Sequence, residues 1–148
     1  MTTDDRITLP SDISPNKYRL SLSPDMQKFT FDGEVQITVE VLNTVNTIIL
    51  NAAELQIQKI TVTSRGKEVG ILDSSLDEED ETLTISLESE ISPGNAEISI
   101  QFVGQLNDRL LGFYRSSYKD IKGDERYLVY YSYLQNLKYY YDLGILFI

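Results

Sequence analysis

The sequence of 148 residues predicts an all-β fold, a sandwich of antiparallel sheets. Apolar residues recur at every second position in several segments, which is the period of a half-buried strand. These segments follow one another at intervals of roughly ten residues, separated by turn-forming residues. Before Gly104, no stretch shows the helical period over three turns. A chain of this length suits one domain, or one domain plus a tail.

The first two predicted strands lie between residues 18 and 41. Residues 18–23 alternate apolar and polar positions, and Pro24-Asp25 ends this strand. The next alternation covers residues 29–41 and is interrupted by Asp32-Gly33. Asp-Gly is a frequent hairpin turn, but a glycine also occurs inside a strand where another backbone comes close. The apolar face stays in phase through Gly33, which favours one long strand.

Shorter strands and a bulge are predicted in the middle of the chain. Ile48-Ile49-Leu50 is an apolar run that suits a strand buried on both faces. The apolar phase shifts by one residue at Gln58-Lys59, which indicates a β-bulge. The acidic run at residues 77–81 lacks the spaced ligands of a calcium loop. We interpret it as a solvated loop between two strands.

A hairpin is predicted after this acidic loop. Residues 83–87 and 96–102 both alternate apolar and polar positions. The turn-forming sequence Ser92-Pro93-Gly94-Asn95 lies between them, which predicts that the two strands pair with each other.

Composition argues against several classes of function. The net charge of −10 and the pI of about 4.4 argue against nucleic-acid partners and against anionic membrane surfaces. The chain has no Cys and no His, so it lacks disulfides, thiolate ligands and the commonest metal ligand and general base. A carboxylate-only site for a hard cation remains possible. The polar N-terminus shows no secretory signal, and no apolar run approaches a membrane span, so we expect a cytoplasmic protein.

Several short motifs follow one another between about residues 7 and 128. They are Leu9-Pro10, then residues 15–20 (PNKYRL), 31–37 (FDGEVQI), 49–52 (ILNA), 102–108 (FVGQLND) and 112–116 (GFYRS). Together they resemble the opening of the gluzincin aminopeptidases, the zinc exopeptidases of the puromycin-sensitive and aminopeptidase N type. The resemblance implies a saddle-like antiparallel β-sandwich. In the family this domain caps the catalytic domain, helps to wall the substrate cavity and carries no zinc.

From about Val129 the chain departs from the family pattern. The family continues into a Thr-Gln-Phe-Glu-like strand, whereas this chain becomes rich in tyrosine, with seven of its ten tyrosines between Tyr127 and Tyr141. The G-x-M-E-N motif and the zinc-binding H-E-x-x-H motif are absent. We predict an aminopeptidase-like N-terminal β domain at residues 1–128 and a divergent tail at residues 129–148. Intron read-through, a frameshift, a mis-joined gene model and a genuine short isoform all remain open for this tail.

The matched block near residue 110 supplies the candidate contact residues. A functional interpretation places them at an interdomain contact or in a wall facing the substrate. The structural interpretation, which we favour, has a turn at residues 107–108, an arginine that pairs with a carboxylate or covers a strand, and a packed tyrosine. Gly33, Gly104 and Gly112 are interpreted as a bulge or a close approach. The candidate contact residues are Asn107, Asp108, Arg109, Tyr114 and Arg115.

The sequence leaves more than one function open. The first is a non-catalytic cap domain or fragment of a zinc aminopeptidase that, at full length, removes N-terminal residues from peptides. This chain would then hold no catalytic, cofactor-binding or metal residue, and zinc is expected only in a full-length parent. Its partners would be the catalytic domain of that parent and, through it, a peptide substrate, with no nucleic acid and no membrane. The alternatives are a stand-alone β-sandwich interaction module and a truncated product without activity.

Overall fold

The computed structural model describes residues 9–107 and 113–131 of the chain. In these two ranges the chain forms ten strands and contains no helix long and apolar enough to cross a membrane. The strands are β1 (Ile13–Asp25), β2 (Thr30–Val41), β3 (Val45–Asn51), β4 (Leu55–Ser64), β5 (Lys67–Val69), β6 (Ile71–Asp77), β7 (Thr82–Ile91), β8 (Gly94–Gln105), β9 (Phe113–Lys119) and β10 (Glu125–Tyr131).

The strands form antiparallel sheets, which confirms the predicted all-β fold. Five strands lie in the order β1-β2-β8-β4-β5, three lie in the order β3-β7-β6, and β9 pairs with β10. The five-stranded and three-stranded sheets supply one common hydrophobic core, as the alternation in their sequences requires. Large core side chains that are almost completely buried are Phe102, Ile37, Ile48, Leu50, Leu83, Ile85, Ile98 and Ile100.

Asp32-Gly33 lies inside one continuous strand, β2, so the prediction of a single long strand is confirmed. Gly33 pairs with Phe102 of β8, and Phe31 pairs with Gly104 two residues away. A Cβ atom at Gly33 would overlap the Phe102 ring, and a Cβ atom at Gly104 would overlap the Phe31 ring. The prediction that another backbone approaches Gly33 is therefore corrected: the group that needs the space is an aromatic ring on the opposite strand.

β4 carries the bulge that the shift in apolar phase predicts, because its register against β8 slips between Ile57 and Lys59. Arg65-Gly66 then turns the chain into β5, and these two residues have φ angles of 52° and 75°, as a type I′ hairpin turn requires. β5 is short and pairs only with residues 62–64 of β4. In the part of the chain that the structure describes, no strand pairs with residues 55–61 on this side of β4.

The predicted hairpin around Ser92-Pro93-Gly94-Asn95 is wrong. β7 pairs with β3 and β6, whereas β8 pairs with β2 and β4, so the connection passes from one sheet to the other. The apolar faces of β7 and β8 meet across the core instead of their backbones meeting side by side. Turn-forming residues serve both kinds of connection, and local sequence does not distinguish them.

β10 runs through Val129 to Tyr131, where its last residue pairs with Phe113. The strand therefore continues three residues past the predicted boundary at residue 128. Gly112 lies outside the described residues, and so does the part of the predicted tail from residue 132 onward. The division into a domain and a divergent tail stays a prediction.

Candidate functional site

Arg115 fastens the hairpin of β9 and β10 to the sandwich. Its Nε donates a hydrogen bond of 3.1 Å to the carbonyl oxygen of Leu106, just after β8. Its guanidinium carbon lies 4.0 Å from the centroid of the Phe29 ring and 5.8 Å from that of Tyr127. Its backbone N–H donates to the carbonyl oxygen of Asn107 at 3.0 Å. Because a guanidinium over an aromatic face is attracted to the ring, one side chain joins β9 to two separate segments of the sandwich.

Phe29 has a backbone conformation that bulky residues seldom adopt. Its φ angle is 53°, in the left-handed region, and for a residue other than glycine this costs about 1–3 kcal/mol. The ring packs edge-on against Tyr127, with centroids 4.9 Å apart and 64° between the ring planes. The carbonyl oxygen accepts a hydrogen bond of 2.7 Å from the N–H of Leu106. These contacts with the hairpin and with the end of β8 offset the strain.

Two hairpin loops have the same hydrogen-bonding pattern. One begins at Asp25 and the other at Asp77. In each, four residues separate the aspartate from a threonine that pairs with it, Thr30 or Thr82. Oδ1 of Asp25 accepts the N–H groups of residues 27 and 28 at 2.9 and 3.0 Å. Oδ1 of Asp77 accepts those of residues 79 and 80, both at 3.0 Å. The acidic run is thus a loop, as predicted, and its first residue caps it.

Glu81 occupies in the second loop the position that Phe29 occupies in the first. Its φ angle is 52°, and its carbonyl oxygen accepts a hydrogen bond of 2.7 Å from Ala52, the residue after β3. Leu106, the residue after β8, makes the equivalent bond of 2.7 Å to Phe29. The backbones of the two loops therefore match. The side chains differ, because the Phe29 ring lies against Arg115 while Glu81 is exposed.

An open groove of about 1020 Å³ lies between β4 and β6 and reaches the second loop. Its apolar lining includes Leu55, Ile57 and Ile60 of β4, together with residues from the three-stranded sheet. Leu76 of β6 pairs with Leu83 of β7, which is a core residue, so both side chains point toward the interior of the sandwich. Leu83 is 1% exposed, but Leu76 is 41% exposed. The sandwich is therefore open along this side.

The rim of the groove is acidic. Glu54, Asp77, Glu78 and Glu81 line it, against one basic residue, Lys59, among the described residues of the lining. An excess of carboxylates around an apolar cleft attracts cationic groups and repels anionic ones. The groove beside the second loop is therefore acidic. At the first loop, in contrast, the cation of Arg115 lies over Phe29 and Tyr127, a contact that we call the Arg115 clamp.

Asp120 holds the turn at the far end of the β9–β10 hairpin. Its Oδ1 accepts the N–H groups of Lys122 and Asp124 at 2.8 and 3.1 Å, and its Oδ2 accepts Nε of Arg126 at 3.0 Å. The hydrogen bond from the Lys122 backbone is the main cause that lowers the pKa of Asp120 below its ordinary value. The hairpin thus has its own fixed turn as well as the Arg115 clamp.

The structure brings together two of the five predicted contact residues. Asn107 and Arg115 meet through the backbone hydrogen bond of 3.0 Å given above, and Tyr114 lies next to Arg115 in β9. Asp108 and Arg109 lie outside the described residues. A contact of these five residues with another domain or a substrate stays a prediction.

The groove and the matching backbone of the two loops were not predicted from the sequence. The spacing of an aspartate and a threonine five residues apart, at 25 and 30 and again at 77 and 82, is a signal that could have identified the loops. The groove depends on which strands pair, and periodicity within single segments carries no information about that.

The chain does not fit the zinc ion that the resemblance implies for a full-length parent. Within residues 9–107 and 113–131, no group of three or more His, Cys, Asp or Glu residues could hold a metal ion. The whole sequence has no His and no Cys, whereas protein zinc sites draw mainly on these two residue types, with Asp or Glu as further ligands.

Comparison with known proteins assigns the chain to a family. The model of the Peptidase M1 N-terminal domain matches residues 14–133. The chain is 36% identical over 121 residues to the puromycin-sensitive aminopeptidase of Caenorhabditis elegans. It is 34% identical over 125 residues to aminopeptidase 2 of Candida albicans and 35% identical over 115 residues to aminopeptidase M1 of Arabidopsis thaliana.

These alignments cover most of this chain but little of each relative. They include 81%, 84% and 75% of the chain, and 13% of each of the three relatives. The chain thus spans only a small part of the length of the curated aminopeptidases it matches. The resemblance found in the sequence motifs is confirmed, and the chain belongs to the M1 aminopeptidase family through that family's N-terminal domain.

Proposed function

We propose that this chain is the non-catalytic N-terminal cap domain of a zinc-dependent aminopeptidase, which at full length removes N-terminal residues from peptides. The observation that carries this proposal is the match of residues 14–133 to an N-terminal domain whose relatives are aminopeptidases. In this account the catalytic domain of the parent supplies the zinc site and is the partner of the chain. Peptide substrates meet the chain only through that domain.

The chemistry of the chain supports a scaffold more than a catalyst. It has no His or Cys to bind zinc and none of the motifs that hold zinc or the substrate amine. The contacts described for Arg115 all end inside the domain, on Leu106, Asn107 and two aromatic rings. The net charge of −10 disfavours nucleic acids and anionic membrane surfaces as partners.

The size of the native protein tests the proposal. An antibody raised against residues 9–107 should detect, in source cells, a band several times larger than the 16.9 kDa of this chain. A band at 16.9 kDa alone would contradict the role as a cap within a larger enzyme and would favour a stand-alone interaction module.

An activity assay on the purified chain tests the non-catalytic part separately. With zinc added, the chain should not hydrolyse leucine p-nitroanilide above the rate of buffer. Hydrolysis that a chelator abolishes and zinc restores would refute a non-catalytic role.

A further inference from the structure

We propose that the groove between β4 and β6 binds an extended, positively charged polypeptide segment by strand addition. This interaction goes beyond the cap function and does not depend on it. The occupant that we infer has alternating apolar and basic side chains, with the apolar ones in the groove and the basic ones on its rim.

On each side of the groove lies a strand edge with which no other described strand pairs. Residues 55–61 of β4 have no strand partner on their outer side, and β6 is the last strand of its sheet, within the described ranges. The N–H of Ser74 points away from β7, but it already donates to Oδ1 of Asp73 at 2.8 Å and is not available to a partner strand. Because N–H groups two residues apart in a strand point the same way, the N–H of Leu76 lies on the same open edge. Such edges bind extended peptides by main-chain hydrogen bonds.

The interior of the groove suits alternate apolar side chains. Leu55, Ile57 and Ile60 lie on one side, with Ile71 and Leu76 on the other. Because side chains of an added strand alternate between faces, every second residue would enter the groove. The 41% exposure of Leu76, which faces the interior of the sandwich, is the apolar surface that an occupant would remove from water.

Charge selects the kind of occupant. Four carboxylates, at residues 54, 77, 78 and 81, line the groove, with one lysine, Lys59, among the described lining residues. A basic segment would reduce their mutual repulsion, and an acidic one would increase it. A second copy of this chain is disfavoured for the same reason, because it carries a net charge of −10 and would bring a second acidic rim to the first.

At the other loop, the hairpin of β9 and β10 covers the equivalent position, although β9 pairs only with β10. A strand, β9, places the cation of Arg115 over Phe29. At the matching position of the second loop, Glu81 is exposed and lines the groove. A carboxylate in place of the ring would accept a basic side chain from a strand supplied by another polypeptide.

Binding of a defined peptide to the full chain tests the proposal. The probe is a fluorescent hexapeptide that alternates lysine and valine, and its binding is followed by anisotropy at low salt. We expect saturable binding that weakens as salt is added. A peptide of the same sequence with every backbone amide methylated keeps the charge but has no N–H group to donate to a partner strand. Equal binding of the two peptides would overturn the proposal.

Two matched double variants locate the site. Glu78→Gln with Glu81→Gln removes two rim charges and should weaken binding by about fivefold. Glu90→Gln with Glu97→Gln removes two exposed charges that do not line the groove and should leave affinity unchanged. Equal weakening by both pairs would mean non-specific attraction and would overturn the proposal.

Amide chemical shifts give a test that requires no variant. Addition of the peptide should perturb residues 56–61 and 72–76 more than the rest of the described chain. Perturbation centred on β1 or on the β9–β10 hairpin would place binding elsewhere and refute the site. Self-association of the chain through β4 and β6, detected by sedimentation without peptide, would refute the basic segment as the occupant.

Discussion

The loop that begins at Asp25 and the loop that begins at Asp77 have the same backbone in different surroundings. Both end in a residue with positive φ, at 53° and 52°, whose carbonyl accepts a 2.7 Å hydrogen bond. The first of these residues is Phe29, and the hairpin of the same chain covers it through Arg115 and Tyr127. The second is exposed beside an open acidic groove.

The comparison of the two loops shows that the backbone conformation and the side chain at the positive-φ position have different causes. The aspartate that caps each loop fixes the backbone locally, whatever lies nearby. The side chain at the positive-φ position depends on what packs above it, and a strained aromatic residue is tolerated only where tertiary contacts hold it. An exposed carboxylate at the other position indicates a surface that this chain does not cover with its own hairpin.

The largest effect should come from Leu106, whose N–H donates to the first loop. Leu106 is 2% exposed, and Leu106→Ala should reduce the free energy of unfolding by about 2–4 kcal/mol because it leaves a cavity. The second loop already has alanine at this position, Ala52. Urea unfolding measures the loss, with Leu72→Ala, at a leucine that is 70% exposed, as the control. A loss no larger than that of the control would contradict the covered state of the first loop.

Removal of the clamp should have the next largest effect. Arg115→Ala deletes the cation over the rings and leaves the Leu106 carbonyl without its hydrogen bond, which should cost about 2 kcal/mol. Arg126→Ala is the matched control, because its side chain is 56% exposed and pairs with Asp120 at the surface. Equal losses for the two variants in urea unfolding would show that Arg115 acts as an ordinary surface charge.

Glycine at the two positive-φ positions should change stability in opposite directions. Glu81→Gly relieves backbone strain and loses few contacts, so it should raise the free energy of unfolding by up to about 1 kcal/mol. Phe29→Gly relieves the same strain but loses the contacts of the ring with Arg115 and Tyr127, and it should lower stability by about 1 kcal/mol. Thermal unfolding of both variants measures the two signs. Stabilisation by both would mean that the Phe29 ring contributes little.

The smallest effect should be a dependence on acid pH. Backbone hydrogen bonds, first from Lys28 and then from Gln27, lower the pKa of Asp25 from its usual 3.8. A lowered pKa in the folded state means that this contribution is complete above 3.8 and is lost as pH falls through the lowered pKa. The variant Asp25→Asn has no carboxyl group to protonate at this position. Below pH 4 it should therefore lose less thermal stability than the unchanged chain, and the difference should correspond to one titrating group. An identical loss in both proteins would contradict this role.

The pKa of Tyr127 shifts in the opposite direction at the other end of the pH scale. Desolvation, followed by the hydrogen bond and charge of Glu125, raises this pKa above 10.0. A raised tyrosine pKa adds stability below pH 10 that is lost as pH rises through the folded-state pKa. Asp25 begins the loop that contains Phe29, and Tyr127 packs against the Phe29 ring. Together they predict that stability is constant between the acidic and the alkaline pH at which these two groups titrate.

Local periodicity predicts the strands of this fold well. The alternation in β2 and β8 follows from a period of two with one buried face, and the bulge in β4 follows from a change of phase at Gln58-Lys59. Each of these features depends on residues next to one another in the chain. The family motifs are equally local, and they identify the family correctly.

Features that depend on distant residues were less predictable. The pairing of β7 with β8 was predicted wrongly, because a turn-forming segment does not reveal whether the next strand joins the same sheet. The ring opposite Gly33 is 69 residues away in the sequence, at Phe102. The partners of Arg115 likewise come from the loop between β1 and β2 and from the residue after β8, so its structural role could be proposed from sequence but its contacts could not.

Native-state amide hydrogen exchange at Leu106 and Ala52 tests the central comparison most directly. Both amides donate 2.7 Å bonds to a positive-φ residue, but only the first lies beneath the Arg115 clamp. We expect Leu106 to exchange at least about tenfold more slowly than Ala52, because opening its loop requires release of the hairpin. Arg115→Ala should remove this difference without changing exchange at Ala52. Equal protection of the two amides in the unchanged chain would contradict the claim that one loop is covered by its own hairpin and the other is open.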